Sequence, residues 1–96
     1  MIIYTGLHVR SSTDIAWFSR SNDHTDLEQT MKQDGRLVST ESILVDEYTL
    51  RNTQKFVDQA AFDFYMSQPC IVESRSARQA YNSANGIVST NTKTEI

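Results

Sequence analysis

Three glycines, one proline and one cysteine are the whole supply, in a chain of 96 residues, of the residue types that punctuate or cross-link small folds. So little glycine and proline excludes collagen-like and proline-rich chains, and a single cysteine excludes a disulfide scaffold or a four-cysteine zinc site. Gly6, Gly35 and Gly86 stand too far apart to build a phosphate-cradling loop. Basic residues are also in deficit, nine against twelve acidic, for a net charge of -3. No general attraction to phosphate backbones follows, so nucleic acid is a disfavoured partner. No stretch reaches the roughly 18 apolar residues that span a bilayer, and Met1 to Arg10 has neither a basic leader nor an apolar run of signal length. A cytoplasmic chain with Cys70 left as a thiol is expected.

What is present is 39% hydrophobic and 22% charged residues, with a mean hydropathy of -0.46. Much of the remainder is Ser, Thr, Asn and Gln. At roughly 100–200 residues per domain, residues 1–96 make one small domain with a thin core.

Residues 2–10 alternate, with Ile3, Thr5, Leu7 and Val9 on one face and Ile2, Tyr4, Gly6, His8 and Arg10 on the other, the period of a strand. Thr25-Asp26-Leu27-Glu28 fits a capping box and predicts a helix over about 25–34, with Gly35 at its left-handed end. Period 2 returns from Arg36 to Val45, Asp46-Glu47 reads as a hairpin tip, and Tyr48 to Val57 reads as a third strand running back. Asp58 caps a helix with the stripe Ala61, Phe62, Tyr65 and Met66. Pro69 opens another helical piece that Asn85-Gly86 closes, with Val72, Ala77, Ala80, Tyr81 and Ala84 as its weaker stripe. Residues 87–91 suit a last strand, beyond which the polar tail is expected to fray. The order β-α-β-β-α(α)-β implies an α+β fold of the ferredoxin-like type, an antiparallel sheet with helices on one face.

No catalytic constellation is visible, and no cofactor motif. His8, His24 and Cys70 are the only good nitrogen or sulfur ligands and share no metal-binding spacing, so no metal site is expected. His8 beside Gly6 suits the wall of a pocket, with Tyr4 and Trp17 as companions. His24 is expected to serve the start of the first helix, and Glu28 its capping. Phe64 lies off the stripe of its helix and, with Arg75 and Arg78 on one face of the next, is a candidate protein interface.

The stretch Thr49 to Pro69, with its strand, Phe56, capped aromatic helix and closing Gln68-Pro69, resembles the second half of the dimeric α/β-barrel group of ferredoxin-like proteins. That group includes small monooxygenases that dimerise through their sheets. The resemblance implies a homodimer and covers about half the chain. The phrase Tyr81-Asn82-Ser83-Ala84-Asn85-Gly86-Ile87 is similar in style to small accessory proteins of tailed phages. With no catalytic group in view, the expectation is a non-enzymatic interaction or assembly protein, a phage accessory factor acting on a host protein in the host cytoplasm. The alternative is a small enzyme or ligand-binding protein of the dimeric α/β-barrel type with its pocket near His8.

Overall fold

The computed structural model describes residues 1–96. Its elements are β1 (Ile2–Val9), α1 (Asn22–Gln33), β2 (Leu37–Asp46), β3 (Thr49–Phe56), α2 (Gln59–Ser67), α3 (Pro69–Asn85) and β4 (Val88–Glu95). The four strands form one sheet in the order β2-β3-β1-β4. Every neighbouring pair is antiparallel. This is the ferredoxin-like split βαβ arrangement, with the helices on one face.

The alternation in β1 places Ile2, Tyr4, Gly6 and His8 under the helices. Their β3 partners are Phe56, Gln54, Asn52 and Leu50, and their β4 partners are Glu95, Lys93, Asn91 and Ser89. The Ile2 end carries the core: Ile2, Met31, Leu37, Phe56, Ala61, Phe62, Tyr65 and Ile71 pack into one cluster. Phe56 is its hub, with ring centroids 5.4 Å from Phe62 and 5.1 Å from Tyr65. Asp58 caps α2 as its spacing predicts, accepting the Ala61 N–H at 2.8 Å. Gly35 and Gly86 follow α1 and α3 with φ of 84° and 67°, backbone that disfavours a β-carbon.

Four expectations are corrected. The cap of α1 is Ser21, whose hydroxyl accepts the His24 N–H at 3.3 Å. Thr25 therefore lies inside the helix, and Glu28 is turned inward instead of back to the helix start. The buried stripe of α3 is Ile71, Ser74 and Asn82, while Val72 is exposed, because the interior facing this helix is polar. The tail does not fray: β4 pairs with β1 from Val88 to Glu95, and the two terminal residues exchange hydrogen bonds. Lacking glycine, the β2–β3 turn has no residue at positive φ and takes up its twist in a register shift between Leu44 and Asp46.

Residues 10–21 follow β1 without regular structure. Arg10 holds them by donating to Ile15 O at 2.8 Å and to Glu47 O at 3.0 and 2.7 Å. Its guanidinium also lies 4.5 Å from the centre of the Trp17 ring. Across the segment, Tyr81 on α3 donates its hydroxyl to Ala16 O at 2.5 Å.

Candidate active site

Beyond the Ile2 end of the sheet the inner face turns polar, and α3 does not close down on it. A cavity of about 680 Å³ remains, floored by Tyr4, Gly6, His8, Asn52, Gln54, Ser89 and Asn91 from the strands and walled by Tyr65, Ile71, Arg75, Arg78 and Asn82 from the helices. That volume lies within the range of small-molecule sites.

One wall is a buried network centred on Glu28. Its Oε2 accepts from Tyr65 OH at 2.7 Å, His24 Nε2 at 3.0 Å, Gln54 Nε2 at 2.5 Å and Arg20 Nη1 at 2.9 Å. His24 closes the ring with Nδ1 at 2.8 Å from Ser74 Oγ. Burial would raise the Glu28 pKa, but the hydrogen bonds from His24 and Tyr65 and the charge of Arg20 reverse that and hold it at about 2. Tyr65 is driven the other way, first by burial and then by the Glu28 charge, so its phenol stays protonated.

The other wall carries Arg75 and Arg78, neither of which makes an ion pair. Arg20, Arg75 and Arg78 all line the cavity, and no aspartate or glutamate does. Only Arg20 makes an ion pair. Arg78 lies over the Phe18 ring at 5.3 Å, its pKa lowered by burial and then by the charge of Arg20. In a chain of net charge -3, the cavity is thus a local concentration of the minority sign. His8 is held neutral, its pKa lowered to about 4 by burial and then by Arg78. No group of three His, Cys, Asp or Glu side chains is placed to hold a metal ion.

Of the residues singled out from the sequence, Tyr4 and His8 meet in the cavity, whereas Trp17 lies outside its lining. Arg75 and Arg78 line the same cavity. Phe64 sits apart from them, 37% exposed, with the Arg36 guanidinium 4.3 Å from its ring centre. The sequence reading missed Glu28, Tyr65, Gln54, Asn82, Ser89 and Asn91. The available signals were polar residues recurring at inward strand positions, and the spacing of His24, Glu28 and Met31 along one helix face.

No protein-family model matches the sequence, and no curated protein is similar to it in sequence. Solved structures match in fold along the whole chain. A protein from Deinococcus radiodurans assigned as an antibiotic biosynthesis monooxygenase superposes with a TM-score of 0.62 at 13% identity, over 100% of this chain and 92% of the other. A variant of SnoaB, a cofactor-independent oxygenase from Streptomyces nogalater, gives 0.64 at 10% identity, over 99% and 91%. A further antibiotic biosynthesis monooxygenase gives 0.61 at 12%, over 100% and 98%.

These neighbours correct the functional expectation. The fold likeness runs through the whole chain, beyond the half read from Thr49 to Pro69, and it leads to oxygenases. The non-enzymatic assembly reading is withdrawn, with its phage origin and host-protein partner. It rested on finding no catalytic group in the sequence, and the groups of this site are gathered from β1, α1, β3, α2, α3 and β4, which no local motif displays.

Proposed function

We propose that the chain is a small enzyme of the oxygenase type, acting on a compact organic substrate that carries an ionisable oxygen or an acidic C–H and occupies the cavity between sheet and helices. The observation that carries this reading is the arginine-lined, carboxylate-free wall around Arg75 and Arg78. An oxygenation run without a cofactor needs the substrate itself to supply electrons to dioxygen, and an organic molecule does so most readily as an anion. A positive, partly desolvated wall lowers the pKa of such a substrate and stabilises the anion. Glu28 and His8 are both weak bases here, at about 2 and about 4, so the site promotes ionisation through its field. The whole-chain likeness to a cofactor-independent oxygenase supports the same reaction class.

The test is oxygen uptake with a panel of electron-rich hydroxyaromatic compounds. Uptake by the wild-type chain that falls at least about tenfold in Arg78→Gln, with unchanged melting temperature, is expected. Saturable binding without oxygen uptake would make the protein a ligand carrier.

We also propose that it works as a homodimer. The outer sheet face exposes Leu7, Val9, Ile43 and Val88, apolar positions that a second copy would cover. No helix is long and apolar enough to cross a membrane, and Cys70 is unpaired, which supports a reducing cytoplasm as the compartment.

A further inference from the structure

His8 offers one ring nitrogen that nothing in the chain satisfies. The residue is only 5% exposed. Its Nδ1 lies 2.6 Å from Ser89 Oγ, while Nε2 is buried without a partner, on a side chain that lines the cavity. A buried polar atom left in this condition has lost its hydration and gained nothing in exchange, which is destabilising. The cost is removed if the cavity's occupant supplies the missing partner.

The partner's chemistry follows from the hydrogen-bond chain behind the ring. Asn82 Nδ2 donates to Ser89 Oγ at 2.7 Å. The single hydroxyl hydrogen of Ser89 is free to turn to His8 Nδ1, and in that arrangement Nδ1 is the acceptor. With Nδ1 accepting, the proton of a neutral imidazole sits on Nε2, and His8 then presents a donor to the cavity. Residue 6 is glycine, which keeps a side chain off this edge of the ring: a β-carbon there would lie 3.2 Å from both His8 Nε2 and Asn91 Oδ1. Arg78, unpaired and lining the same cavity, favours negative charge on an acceptor placed there.

We propose that His8 Nε2–H and Arg78 form a subsite for an anionic oxygen of the ligand, a carboxylate, phenolate or enolate, and that Asn82 and Ser89 are positioning residues that fix the imidazole tautomer. The proposal rests on the cavity being the ligand site and specifies which end of it holds the charge. His8 then acts as a hydrogen-bond donor to the anion and takes no proton from it.

The test uses the full chain with imidazole ¹⁵N labels, and 2-naphthoate with its neutral amide, 2-naphthamide, as probes. In the free protein His8 is expected as the Nε2–H tautomer, a preference lost in Ser89→Ala and restored in Ser89→Thr. Naphthoate should shift the His8 Nε2 resonance and bind more tightly than the amide. Its affinity should fall about ten- to hundred-fold in His8→Phe and in Gly6→Ala, whose added β-carbon crowds the subsite without removing its groups. An Nδ1–H tautomer in the wild-type chain overturns the proposal. So does naphthoate binding that shifts Tyr65 and Ile71 yet is unchanged in both variants, and the cavity reading survives that result. Absence of saturable binding of either probe overturns both.

Discussion

Along β1 the same inward face meets two different interiors. At Ile2 it lies beside Phe56 and under the helices in the hydrophobic core cluster. Three inward positions later, at His8, it faces an open cavity with one ring nitrogen unsatisfied. The passage is graded through Tyr4, whose ring packs 5.4 Å from Phe62 while it also borders the cavity, and Gly6, which offers no side chain. Of the 15 buried residues, five are polar or charged: His8, His24, Glu28, Ser74 and Asn82. All five belong to the two hydrogen-bonded groups around the cavity. The sheet thus concentrates its stabilising apolar burial at one end, which lets the other end hold an unpaired arginine and a neutral buried imidazole.

The largest effect that would test this division is at the packed end. Phe56→Ala should cost about 3–5 kcal/mol, whereas Asn52→Ala on the cavity floor should stay within about 0.5 kcal/mol. Chemical denaturation compares the two, and equal losses would abolish the distinction. Next comes the network between the two ends: Glu28→Gln weakens four charge-assisted contacts and should cost about 2–3 kcal/mol, measured in the same way.

Acid should separate the two ends more finely. Glu28 has its pKa at about 2 in the fold against an ordinary 4.5. Its contribution is complete above pH 4.5 and drains away as the pH falls toward 2, because the unfolded chain takes up the proton first. His8, at about 4 against 6.5, is likewise protonated first in the unfolded chain, so stability falls between pH 6.5 and 4. Melting temperature followed against pH should therefore decline in two stages. His8→Gln should flatten the upper stage and Glu28→Gln the lower, and a profile that either variant leaves untouched contradicts the corresponding burial.

The smallest effect belongs to the outer face. In an isolated chain Val88→Thr should change stability by no more than about 0.5 kcal/mol. A larger loss that shrinks as the protein is diluted would show a second copy covering this face, and sedimentation would give its mass.

The alternation that placed Tyr4 and His8 on one face was legible because strand period is a local property, and so were the Asp58 cap and the Pro69 and Gly86 boundaries. Glu28 shows where legibility stops. Three residues after Thr25 it satisfies a capping pattern, yet Ser21 competes for the same helix start and wins, and the carboxylate is turned toward Arg20, Tyr65 and Gln54. Tyr65 read as core and is core by burial, but its hydroxyl reaches a partner 37 positions away in sequence. Arg75 and Arg78 read as part of a protein interface because helical periodicity gives a shared face and does not say what that face meets. The alternation of Ser89 and Asn91 was present in the tail, but their inward direction depends on the register with β1.

Arg10 carries a consequence of another kind. Residues 10–21 make few regular backbone bonds of their own, so the order of their first half depends on that one guanidinium, shared among Ile15, Glu47 and the Trp17 ring, and on the Tyr81 hydroxyl opposite. Chain entropy there is restrained by side chains in place of a backbone ladder, the Phe18 ring against Tyr81 and the Arg20–Glu28 ion pair holding the far end. Loss of Arg10 would therefore register as faster amide exchange from Ser11 to Ser21 well before it registered in the protection of the Phe56 core.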